Sequence, residues 1–64
     1  MSKKSLEIAK AGAKAYSKEY PELIVKVMDK KGYKAVFTSS NWVYTGRVLE
    51  GFHTVITYKN GEAV

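Results

Sequence analysis

Pro21 divides the chain into two segments whose apolar residues recur with different periods. Before it, apolar residues recur at spacings of three and four, which places them on one side of a helix. These residues are Leu6, Ala9, Ala13, Tyr16 and Tyr20. A proline disfavours helical backbone at the residue before it, and Ser2 or Ser5 can cap the start of the helix. We therefore predict an amphipathic helix over residues 3–19.

Residues 22–28 fit two interpretations. They contain three β-branched side chains, and Gly32 follows where a hairpin turn needs left-handed backbone, which favours a strand over about 22–28. The alternative is a second helix, because Leu23 and Val27 lie at helical spacing, Pro21 suits a first helical turn and Gly32 would end it. We favour the strand.

The rest of the chain alternates apolar and polar residues with period two, which is typical of strands. We predict further strands over about 33–38, 42–49 and 52–59, and a tight turn at Asn60-Gly61. The whole chain of 64 residues is then one α+β domain, residues 1–64. In it, an N-terminal amphipathic helix packs on a three- or four-stranded antiparallel meander sheet.

The segments 43–48 and 55–61 are similar to strands of SH3-like and Sm-like small barrels. The resemblance covers less than a third of the chain. It implies an alternative architecture, a small partly closed barrel with an N-terminal helix, and it implies no particular function.

The sequence carries no motif for catalysis, metal binding or a nucleotide cofactor. It has no cysteine, its one histidine is His53, and no glycine pair has the spacing of a phosphate-binding loop. A lone histidine without a fixed partner is more often a surface residue than a general base. We expect a binding protein rather than an enzyme, without metal ion or cofactor.

The positive charge is concentrated in the first half of the chain. Residues 1–34 contain nine lysines and four carboxylates, whereas residues 35–64 balance two cations against two carboxylates, so the net charge of +5 belongs to the first half. At 100° per residue, Lys3, Lys10, Lys14 and Lys18 fall on the side of the helix away from the apolar stripe. Such a distribution favours an acidic partner.

Ammonium groups and flat rings together are what a binder of phosphates and bases needs. We therefore predict a small basic protein that binds nucleic acid, or an acidic protein surface, without strong sequence specificity. The predicted contact residues are Lys3, Lys4, Lys10, Lys14, Lys18, Lys34, Arg47, Trp42 and Tyr44.

The alternative is a protein-binding module or an inhibitor of a specific protein, of the kind that mobile elements encode. In either case a small domain with one sheet face uncovered favours a homodimer. The absence of cysteine, of a signal segment and of a long apolar stretch indicates a cytoplasmic protein that does not enter a membrane.

Overall fold

In a computed structural model of the protein, the described residues are 2–42 and 49–64, without the side chains of residues 2 and 3. One helix packs on one face of a four-stranded antiparallel sheet that is not closed into a barrel. The α+β prediction is confirmed, and the barrel alternative is wrong. The elements are α1 Ser2–Glu19, β1 Ile24–Asp29, β2 Val36–Ser39, β3 His53–Lys59 and β4 Glu62–Ala63.

The strand order in the sheet is β2-β1-β3-β4. It departs from a simple meander, because β3 pairs with β1 and not with β2. The strand predicted over 42–49 falls mostly on residues 43–48, which lie outside the described residues. The strand predicted over 33–38 begins later, at Val36, because residues 31–33 belong to the turn that follows β1.

The predictions made from Pro21 and from Gly32 are confirmed. The helix ends at Glu19, two residues before Pro21, and the Tyr20 N–H still donates to the Tyr16 carbonyl at 3.0 Å. The segment after Pro21 is the strand β1, so the alternative of a second helix is wrong. Gly32 takes the left-handed conformation, with φ of 85°, in the turn that follows β1.

The predicted turn at Asn60-Gly61 joins β3 to β4. Lys59 and Glu62 are paired, so Asn60 and Gly61 are the two loop residues, with φ of 55° and 78°. Positive φ at both positions is the mark of a type I′ turn, for which Asn-Gly is the preferred sequence.

The core lies between α1 and the sheet. It consists of Ala9, Ala13, Val25, Val27 and Tyr58. Leu6 and Tyr16 pack at its margin, as the helical spacing predicts, whereas Tyr20 is 42% exposed. The small alanine side chains allow the helix to approach the sheet closely.

The register of the strands leaves one sheet face without a helix. Val25 and Val27 face α1, so Ile24 and Lys26, which alternate with them along β1, face away. Thr38 of β2 and Thr57 of β3 are both paired with Lys26. We call Ile24, Lys26, Thr38 and Thr57 the open sheet face.

No helix among the described residues is long and apolar enough to span a membrane.

Candidate nucleic-acid interface

Three of the predicted contact residues follow one another along α1 at intervals of four. Lys14 and Lys18 are exposed, and the side chain of Lys10 is 34% exposed. With a rise of 1.5 Å per residue, their Cα atoms extend over about 12 Å of helix. We call Lys10, Lys14 and Lys18 the lysine flank.

Within the part of the chain that the structure describes, the ammonium groups of the lysine flank make almost no ion pairs with carboxylates. The single ion pair among the described residues joins Lys10 Nζ to Glu7 Oε2 at 4.0 Å, at the limit of such a contact. An exposed pair one helical turn apart contributes a few tenths of a kcal/mol, about 0.2 to 0.5. The flank therefore keeps its charge available for an anionic ligand.

The turn between β3 and β4 lies beside the lysine flank. Gly61 is placed so closely that an added Cβ would lie 3.2 Å from Lys18 Cβ. The aliphatic stem of Lys18 covers this turn, while the residue as a whole remains exposed. Packed stems of this kind limit the freedom of a lysine while its ammonium group stays in water.

Lys4 and Lys34 form a second basic group outside the core. Both are exposed, and both line one hollow of about 360 Å³ together with Ser5, Ile8 and Ala35. The Ala35 N–H donates to Ser5 Oγ at 3.3 Å, which holds the segment before β2 against the first turns of α1. Thirty positions separate the two lysines in the chain, and no local pattern indicates that they meet.

Trp42 belongs to an aromatic cluster with Tyr16 and Phe37. Its ring centre lies 5.3 Å from that of Tyr16 and 5.6 Å from that of Phe37, and it is half-buried. Much of the ring therefore contributes to the packing of α1 against β2. Tyr44, Arg47 and the side chain of Lys3 lie outside the described residues.

Lys30, which was not among the predicted contact residues, makes its contacts with other residues of the chain. Its Nζ donates to the Glu50 carbonyl at 3.1 Å and lies 4.7 Å from the centre of the Tyr33 ring and 5.9 Å from that of Phe52. An ammonium group over aromatic rings is held by cation–π attraction. Lys30 thus joins the turn after β1 to the segment before β3.

Lys26, which was also not among the predicted contact residues, is exposed on the open sheet face. It stands at the centre of that face, paired with Thr38 on one side and Thr57 on the other. The alternation of Val25, Lys26 and Val27 could have indicated it, because period two turns Lys26 away from a face that buries valine.

His53 is exposed at the first position of β3. Among residues 2–42 and 49–64, no group of three histidine or acidic residues is arranged to hold a metal ion.

Comparisons of the chain with protein family models, with curated proteins and with solved structures found no match.

Proposed function

We propose that this protein binds nucleic acid without strong sequence specificity, through the phosphates, with the lysine flank as its main contact surface. The observation that carries the proposal is the exposure of Lys14 and Lys18, neither of which is ion-paired with a described carboxylate. Lys4 and Lys34 add charge at the N-terminal end of the helix.

Lysine ammonium groups suit this role better than base recognition. They act as point charges that neutralise phosphates and release counterions, which supplies affinity for any sequence. Bidentate recognition of base edges relies on arginine and amide side chains. With one arginine against ten lysines in the chain, affinity without sequence preference is the expected result.

The roles predicted for Lys3, Trp42, Tyr44 and Arg47 stay predictions within this proposal. For Trp42, a base would stack only on the part of the ring that Tyr16 and Phe37 leave uncovered.

Homodimer formation and a cytoplasmic location belong to the same proposal. Each of three strands has a β-branched apolar residue that is more than a third exposed, and a second copy would remove such apolar surface from water. They are Ile24 in β1, Val36 in β2 and Val55 in β3. Light scattering over a hundredfold range of concentration tests the dimer, because a strict monomer throughout would refute it. Cell fractionation tests the cytoplasmic location.

The binding proposal is tested by fluorescence anisotropy with labelled mixed-sequence duplex DNA, single-stranded DNA and RNA. We expect dissociation constants of about 1 µM or below at about 50 mM salt, weakening steeply as salt rises. No change in anisotropy with any of the three ligands at low salt would overturn the proposal.

A further inference from the structure

An apolar groove runs between α1 and β2, on the side of the helix away from the lysine flank. It has a volume of about 510 Å³. The residues that line it are Ile8, Ala9, Gly12, Ala35, Val36, Phe37 and Trp42. Two of these residues are open to solvent, since Ile8 is 65% exposed and Val36 is 37% exposed. A domain this small needs most of its large apolar side chains inside, so these two leave apolar area that a ligand can cover.

Gly12 lets Phe37, which lines the groove, lie close against α1. A Cβ atom at this position would lie 3.0 Å from Phe37 Cε2, so only glycine lets the ring lie this close to the helix. Glycine inside a helix costs about 1 kcal/mol relative to alanine. The close approach of Phe37 to α1 is what this residue provides.

The groove leads into a basic end. Ile8 and Ala35, which line it, also line the neighbouring hollow that holds Lys4 and Lys34. Both lysines are exposed, and neither is ion-paired with a carboxylate among the described residues. The surface therefore combines an apolar trough with two positive charges at one end.

We propose that this groove binds an extended peptide segment of a partner protein that carries a large apolar side chain and, a few residues away, acidic side chains. The apolar side chain lies against Ile8, Gly12 and Phe37, and the acidic side chains meet Lys4 and Lys34. Charge complementarity selects the acidic residues, and apolar area removed from water supplies most of the affinity.

β2 is the last strand at its end of the described sheet order, and the groove follows the chain there from Ala35 to Phe37. An extended segment suits such a groove, because its alternate side chains point to the same side and one of them can enter while others reach the basic end. A nucleic acid fits less well, because phosphates recur along a strand whereas the two lysines lie at one end only.

The test titrates the whole protein with short synthetic peptides and follows backbone amide signals by NMR and the emission of Trp42, the one tryptophan. The probe peptides place Leu, Phe or Trp two to four residues from a Glu-Glu pair. In matched controls a Lys-Lys pair replaces Glu-Glu, or serine replaces the apolar residue.

We expect at least one acidic peptide to bind below about 1 mM, at least tenfold more tightly than its Lys-Lys counterpart, with shifts at Ile8, Ala35 and Phe37. The double variant Lys4→Glu/Lys34→Glu should reverse this preference, while Lys14→Glu/Lys18→Glu should leave it unchanged. Ile8→Ser, at an exposed position, should weaken binding at least fivefold without unfolding the protein.

Four results would overturn the inference. The first three are no shift with any probe at about 1 mM, shifts confined to the lysine flank or to the open sheet face, and equal binding of the acidic and basic peptides. A fourth is an oligonucleotide, rather than a peptide, that shifts the groove residues. Nucleic-acid binding at the lysine flank is tested separately, because Lys10, Lys14 and Lys18 do not line the groove, and only the added charge of Lys4 and Lys34 is common to both proposals.

Discussion

The hydroxyl oxygen of Ser17 accepts a hydrogen bond from the backbone N–H of Gly61 at 2.9 Å. The same hydroxyl donates to the Lys14 carbonyl at 3.0 Å, and Ser17 is fully buried. The Ser17 side chain therefore connects the turn between β3 and β4 to α1, within the same helical turn as Lys14 and Lys18.

Ser17→Ala should destabilise the protein by about 1 to 3 kcal/mol, because it leaves the Gly61 N–H buried without a partner. Urea unfolding measures the loss. Ser40→Ala is the matched control: its hydroxyl accepts from the Ile24 N–H at 3.1 Å at an exposed site, where water can replace it, so the loss should stay below about 1 kcal/mol. Equal losses for the two variants would contradict the role given to Ser17.

Gly61→Ala should destabilise the protein by more than Gly32→Ala. Both glycines have positive φ, 78° and 85°, which costs a residue with a Cβ about 1 kcal/mol or more. At Gly61 the new Cβ also meets Lys18 Cβ at 3.2 Å, whereas at Gly32 nothing lies within 4 Å. Unfolding midpoints of the two variants provide the comparison, and a larger loss at Gly32 would show that the turn is not held against the helix as described.

Lys30→Ala should cost about 1 kcal/mol, since it removes an exposed hydrogen bond to Glu50 and the contact with the Tyr33 ring. The neighbouring exposed Lys31 supplies the control, and Lys31→Ala should change stability by less than about 0.5 kcal/mol. Denaturant unfolding of both variants distinguishes a structural lysine from a solvated one. Indistinguishable midpoints would contradict the assignment.

Features set by local backbone chemistry could be predicted from the sequence. Pro21 fixes the end of α1 because proline constrains the residue before it. Asn60-Gly61 specifies its turn because both residues tolerate positive φ. The strand at Ile24–Asp29 followed from its β-branched residues and from the turn after it.

Features that depend on contacts between residues far apart in the chain could not be predicted from the sequence. The pairing of β3 with β1 is decided by packing in three dimensions, and the order of hairpins along the chain does not reveal it. Ser17 is polar and was not assigned to the buried side of α1, since its burial depends on Gly61, 44 positions away. The meeting of Lys4 with Lys34 and the groove next to them have the same origin.

The lysine flank was predicted from helical periodicity alone. Exposure at Lys14 and Lys18 agrees with that prediction. Helical periodicity does not identify the ligand of the lysine flank, because an ammonium group attracts any anion.

The salt dependence of DNA binding in two charge-matched double variants tests the central claim most directly. Lys14→Gln/Lys18→Gln and Lys26→Gln/Lys31→Gln each remove two exposed lysine charges. Glutamine keeps the Cβ and Cγ atoms of Lys18, which lie nearest to Gly61. We predict that the first variant weakens binding and reduces the magnitude of the negative slope of log K against log salt by about 2, while the second reduces that magnitude by less than about 1. Equal effects of the two variants, or a larger effect of the second, would contradict a binding surface on the lysine flank.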